Sequence, residues 1–199
     1  METEIYGNKK NPSVLVIGVF HGDEPQGNFL IRKYIEINPD TNLLMIPCLN
    51  KSGFEAGTRV NKNGVDLNRN FPTENWVKSE KNEFYGGSSP ASEEETKFLI
   101  SVIEKYKFKA ILTLHAPYKV VNYDGGEKNG TGKKLAEKIS DIIGYPVEDN
   151  IGYPTPGSFG TWAGKERDIA TITLELDEEK DIEDLEIPVF KIFKMLETY

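Results

Sequence analysis

Residues 14–20 (Val-Leu-Val-Ile-Gly-Val-Phe) and residues 110–114 (Ala-Ile-Leu-Thr-Leu) form two short runs that are almost wholly apolar, and each is followed at once by a histidine. A strand with one face in water alternates apolar and polar residues, whereas an unbroken apolar run of this length reads as a strand covered on both faces. Strands of that kind belong to largely parallel sheets flanked by helices, whose ligands sit beyond the carboxyl ends of the strands. His21 and His115 are the two histidines of the 199 residues, and both stand at such an end.

Between these runs the apolar spacing becomes helical. Pro25 followed by Leu30, Tyr34 and Ile37 predicts a helix with proline in its first turn. Residues 43–47 read as a second strand. Residues 50–72, polar and carrying Gly53, Gly57 and Gly64, read as a long loop of the functional sort. Ser92 and Glu95 form a capping box ahead of an apolar face of Phe98, Leu99, Val102, Ile103 and Tyr106. Residues 133–143 predict a helix stopped by Gly144, residues 172–176 a strand, and residues 188–196 a closing helix. The expected fold is α/β: a mixed, largely parallel twisted sheet with helices on both faces, in a single domain over residues 1–199.

Composition removes several function classes. With 24 basic and 32 acidic residues the net charge is −8, which argues against a nucleic-acid partner. The longest apolar run falls far short of the roughly 18 residues that a membrane helix needs. The first dozen residues contain no apolar signal core, so a cytoplasmic location is expected. Cys48, the single cysteine, excludes an internal disulfide and any cysteine-rich zinc ribbon; it is expected in the core, and a metal site has to be built from histidine and carboxylate.

The chemistry-bearing residues fall into three groups. Glu24 lies three residues after His21, in the turn before Pro25, so an imidazole and a carboxylate can converge there, with His115 as a third ligand. Two nitrogens and a carboxylate leave one tetrahedral position open for water, the pattern of a catalytic zinc. Residues 59–72 hold two of the four arginines, and Asn68 beside Arg69 offers a fork of donors suited to gripping a carboxylate. The plainer alternative is an Asx-rich turn whose arginine caps a helix or pairs with Asp66. Glu175 interrupts an apolar strand, which is costly unless the carboxylate is solvated, paired or part of a site. Trp76 and residues 74–83 read as a solvated surface excursion, and Trp162 as packing beneath a Gly-Ser turn.

The ordered set His21-Gly-Asp-Glu24, Arg59, Asn68-Arg69, His115, Tyr153 and Glu175 resembles the zinc metallocarboxypeptidase family, over about residues 13 to 178. Within it, the segments around Arg59, residues 64–72, residues 153–160 and residues 171–175 look like the bacterial murein peptide amidase A type. The resemblance implies one zinc per chain held by His21, Glu24 and His115, with Glu175 as the base that takes a proton from zinc-bound water. Arg59 would stabilise the oxyanion, Asn68 and Arg69 would hold the terminal carboxylate of a small peptide, and Tyr153 would cover the terminal residue. Gly160 stands where digestive members read the terminal side chain. A glycine reads nothing by charge but leaves room for the bulky, polar diaminopimelate end of a murein peptide. The chain is shorter than the digestive catalytic domain, which implies trimmed loops or strands. The competing resemblance is to N-acyl amino acid deacylases of the aspartoacylase and succinylglutamate desuccinylase kind, which share the H-x-x-E, Asn-Arg and distant histidine arrangement.

Overall fold

The computed structural model describes residues 3–128, 130–149 and 152–199. Among the described residues seven strands form one sheet: β1 (Tyr6–Gly7), β2 (Val14–Gly18), β3 (Leu44–Ile46), β4 (Ala110–His115), β5 (Val121–Asp124), β6 (Val147–Glu148) and β7 (Ala170–Glu175), in the order β1-β3-β2-β4-β7-β5-β6. The central four, β3-β2-β4-β7, are mutually parallel, while β1 pairs antiparallel with β3 and β5 antiparallel with β7. Every residue of β2 and β4 is buried, as the absence of alternation requires.

Both faces are covered. Helices α1 (Gln26–Ile37), α4 (Thr131–Ile143) and α5 (Ile182–Leu196) share a core with Val14, Val16, Leu112 and Leu114. On the other face Leu15, Ile17 and Ile111 pack with Leu99, Val102 and Ile103 of α3 (Glu94–Lys105) and with Phe159 and Trp162. Trp162 and Cys48 are buried, as expected. Among the described residues no helix is long and apolar enough to cross a membrane.

Several elements differ from their sequence reading, each for a physical reason. Ser92 does not cap α3: its Oγ donates to Glu93 Oε1 and accepts from Asn70 Nδ2, and Asn70 Oδ1 takes the Glu93 N–H, so contacts with a distant loop engage the hydroxyl that a local box would have used. The last helix opens at Ile182, not at Pro188. Its first turn carries Glu183 and Asp184, which suit the positive end of the helix dipole, and the buried stripe of Leu185, Val189, Ile192 and Phe193 tolerates the internal proline. The 50–72 stretch is a loop containing a short helix, α2 (Lys51–Ala56), where Asn50 Oδ1 accepts from Gly53 N, and a single tight turn, Leu67–Arg69. Strands β5 and β6 were not foreseen, because Asn122, Asp124 and Glu148 disguise a short edge pairing.

Candidate active site

Parallel pairing of β2, β4 and β7 brings three chain segments to one sheet edge. His115 ends β4 directly opposite Glu175, which ends β7, and β2 leads through Val19 and Phe20 to His21. The loop after β2 turns tightly. A side-chain carbon on Gly22 would overlap the backbone of Gly53 in α2, so a bare residue is what lets these two loops meet. Gly22 N donates to the Arg59 carbonyl at 3.4 Å, which ties the histidine loop to the arginine segment.

At the centre Glu24 bridges both imidazoles. Its Oε1 lies 2.7 Å from His21 Nδ1 and its Oε2 2.9 Å from His115 Nδ1. One donor atom from each of His21, Glu24 and His115 falls within 4.8 Å of the others, a spacing that suits one metal ion. His21 Nε2 lies 3.2 Å from Asp66 Oδ1, an outer carboxylate that keeps the proton on Nε2 and so frees Nδ1 for a metal. Without an ion, burial disfavours a charged His21, but the attraction of Glu24 and Asp66 outweighs it and raises its pKa to about 9. Burial likewise opposes a charged Glu24, and the two histidines overcome it and lower the carboxyl to about 2. The donor set therefore fits a zinc ion.

Asp66 is the organiser that the sequence reading weighed only as an alternative partner for an arginine. Fully buried, it accepts through Oδ1 from Asn68 N at 2.8 Å, and through Oδ2 from Arg59 Nε at 3.1 Å and Nη2 at 2.8 Å. Arg59 thus pairs with Asp66, and its remaining Nη1 stands 3.4 Å from His21 Nδ1 and 3.9 Å from Glu24 Oε1. Asn68 Oδ1 accepts from Phe159 N at 2.9 Å, which orients the amide so that its NH₂ remains to donate. Arg69, buried, donates from Nη1 to the Asn68 carbonyl.

Glu175 is buried, and its Oε2 has no hydrogen-bond partner among the described residues. Burial raises its pKa above the usual carboxylate range, His115 and His21 counteract, and Glu24 adds to the rise. Tyr153 sits half-exposed in the wall of the cleft, which Tyr118 also lines. A cleft of about 1020 Å³ takes His21, Glu24, Arg59, Asn68, Arg69, His115, Tyr153 and Glu175 into its walls. All eight residues singled out from the sequence meet there.

Two features depart from expectation. Residues 74–83 are not merely a solvated excursion, since Asn75, Val77 and Glu83 line the cleft together with Phe84. The Phe84 ring lies beneath two guanidinium groups, with Arg59 at 5.1 Å and Arg69 at 5.9 Å from its centre. Nor does Gly160 leave open space. A side-chain carbon there would overlap Asp124 Oδ2, so the room is already taken by a carboxylate arriving from β5.

A seven-stranded, largely parallel sheet with a His-Glu-His cluster at the ends of its strands defines a class, and the family model agrees: the zinc carboxypeptidase (peptidase M14) model matches residues 3–194, and the chain belongs to this family. Murein peptide amidase A of Vibrio campbellii is 31% identical over 182 residues, covering 84% of this chain and 71% of that one. The Escherichia coli K12 protein of the same name is 32% identical over 130 residues, 59% of this chain and 51% of the relative, so that match spans about half the relative's length. The crystal structure of murein-tripeptide amidase MpaA from Escherichia coli O157 superposes with a TM-score of 0.79 at 25% identity, covering 96% of this chain and 83% of that one.

Proposed function

We propose that residues 1–199 act as one zinc-dependent catalytic domain that hydrolyses the amide before a C-terminal residue, the substrate being the γ-D-glutamyl-diaminopimelate bond of murein peptides. The observation that carries the reading is the convergence, in one cleft, of two histidine Nδ1 atoms on Glu24 with the buried Glu175 carboxylate and the Nη1 of Arg59. The names of the relatives supply the substrate class. The reading carries with it a cytoplasmic role in peptidoglycan recycling.

His21, Glu24 and His115 would hold the zinc, which when bound lowers the pKa of a water toward about 7 and polarises a carbonyl. The rest falls to the chain. Glu175 accepts a proton from the attacking water and passes it to the leaving amine, a relay suited to a carboxylate whose pKa is raised by burial. Arg59 donates from Nη1 to the carbonyl oxygen as negative charge develops, held in place by Asp66. Asn68 and Arg69 grip the terminal carboxylate, and Tyr153 at the rim covers the terminal residue.

The test is mass spectrometry of products from the zinc-loaded protein with L-alanyl-γ-D-glutamyl-diaminopimelate, peptides ending in phenylalanine or lysine, and N-acyl amino acids, with Glu175→Gln as blank. Release of diaminopimelate from the tripeptide is expected. Faster cleavage of the ordinary peptides rejects the murein assignment, and release of small acyl groups alone points to a deacylase.

Two variants probe the supporting geometry. His115→Ala should lose metal and turnover together, read by elemental analysis beside kinetics; a metal-replete variant would remove His115 from the ligand set. Phe84→Leu keeps apolar bulk but removes the ring face under both arginines, and kcat/KM should fall about 2- to 5-fold with little change in Tm, since an exposed cation–π contact contributes about 0.5–1 kcal/mol. Unaltered kinetics would make Phe84 a cover and not a support.

A further inference from the structure

One fully buried amide behind the site has none of these roles, yet it holds both loops that do. Asn50 follows β3, and its Nδ2 donates at 3.2 Å to the carbonyl of Phe20, the residue before His21, and at 3.2 Å to the carbonyl of Arg59. Its Oδ1 accepts from Gly53 N at 2.9 Å, which settles the direction the amide faces. The Arg59 carbonyl also takes the Gly22 N–H, so it is tied to Asn50 and to the histidine loop together. The backbone that Asn50 grips is strained. Val19 lies at a φ of +54°, in the left-handed region that a β-branched residue rarely enters, and its carbonyl accepts from Asn50 N at 2.9 Å. Such a conformation persists only where the surrounding bonds over-determine it. Space is kept clear for the amide as well: a side-chain carbon on Gly53 would come within 2.5 Å of Asn50 Nδ2 and 2.7 Å of the Val60 carbonyl oxygen.

We propose that Asn50 is a positioning residue for the reaction: its one amide, bonded to both carbonyls, fixes the oxyanion donor Arg59 relative to the metal ligand His21. The inference rests on the proposed hydrolysis, since it serves the step in which charge develops on the carbonyl oxygen, but it does not depend on which terminal residue is released. Asparagine suits the place because its NH₂ supplies two hydrogens for two acceptors while its oxygen meets a donor on the other side. Serine there still caps α2 through Oγ but has a single hydrogen and a shorter reach. Aspartate keeps shape and cap but offers at most one donor for two carbonyls. Arg59 Nη1 stands 3.4 Å from His21 Nδ1, so a shift of its backbone misplaces the guanidinium against the reacting carbonyl. A misplacement of about 1 Å typically costs about 100-fold in rate.

Three variants separate the clamp from the cap: Asn50→Ala removes both, Asn50→Ser keeps the cap, and Asn50→Asp keeps cap and shape and serves if the others do not fold. Each is assayed zinc-loaded on whichever peptide the unaltered enzyme cuts fastest. All should retain one metal ion per chain and lose about 10- to 100-fold in kcat with KM unchanged, the pattern of an interaction made in the transition state alone. Asn50→Ser should recover Tm relative to Asn50→Ala but not kcat; recovery of both makes Asn50 a helix cap and overturns the proposal. In an Arg59→Ala background Asn50→Ser should lower kcat less than about twofold further, because the group it positions is gone. A full additional loss there, or loss of metal from every variant, overturns Asn50 as the positioner of Arg59. Calorimetry reads the same effect without turnover. A phosphinic analogue of the peptide, whose tetrahedral oxyanion imitates the transition state, should bind Asn50→Ser about 10- to 100-fold more weakly, while the free terminal amino acid binds as before. Equal weakening of both ligands means general disorder and overturns the proposal. If the unaltered enzyme cuts none of the peptides, the proposed function falls, and hydrogen exchange at the Gly22 N–H decides the clamp by itself. Exchange at least about tenfold faster in Asn50→Ser supports it, and unchanged exchange overturns it.

Discussion

Replacing Glu175 with glutamine is expected to lower kcat by about 100- to 10,000-fold, the usual contribution of a positioned base, while metal content stays at one ion per chain. Glutamine has nearly the same shape, so the pairing of Glu175 with His115 at the ends of β7 and β4 is preserved. The charge alone changes. Burial already disfavours ionised Glu175, and its Oε2 has no hydrogen-bond partner among the described residues, so a neutral amide relieves a cost and Tm should not fall. A stable, metal-replete protein without turnover separates chemistry from folding. Single-turnover kinetics alongside elemental analysis provide the check, and retained turnover would exclude Glu175 as the base.

Arg59→Ala should cost about 2.7–4 kcal/mol of transition-state stabilisation, roughly 100- to 1000-fold in kcat, if Nη1 serves the developing oxyanion. It should also lower stability by about 1–3 kcal/mol, because Asp66, fully buried, loses two of its hydrogen bonds. The two losses are separable. Arg59→Lys restores a positive charge but cannot reproduce the fork on Asp66, so it should recover part of the stability and little of the rate. Undiminished turnover in metal-replete Arg59→Ala would leave Arg59 as a structural partner of Asp66 and nothing more.

These two effects depend on residues that were legible to different degrees. Glu175 could be found because a carboxylate interrupts an apolar strand, and Arg59 because arginine is scarce. Asp66 could not be ranked from sequence, since nothing local distinguishes a hub carboxylate from an ordinary Asx-turn residue. Its partners His21 and Arg59 lie 45 and 7 residues away. Phe84 was missed for a similar reason: an exposed aromatic in a polar stretch has no periodicity, and its value comes from two guanidinium groups that other loops place over it. The capping box at Ser92 failed in the opposite sense. A valid local pattern was displaced by Asn70, which the fold brings in from 23 residues away.

The sequence by itself determined the four central parallel strands and the order of the site residues along the chain. Unbroken apolar runs dictate buried parallel strands, and His21, His115 and Glu175 stand at their carboxyl ends because hydrophobic burial stops where polar residues begin. The tertiary structure alone decided which atoms meet: both Nδ1 atoms on Glu24, Asp66 behind them, Phe84 beneath the arginines, and Asp124 in the space that Gly160 leaves bare. The physical reason is the range of the forces involved. Apolar burial is periodic and can be read along the chain, whereas a polar loop takes its conformation from a few directional contacts with residues far away in sequence, which local pattern does not encode.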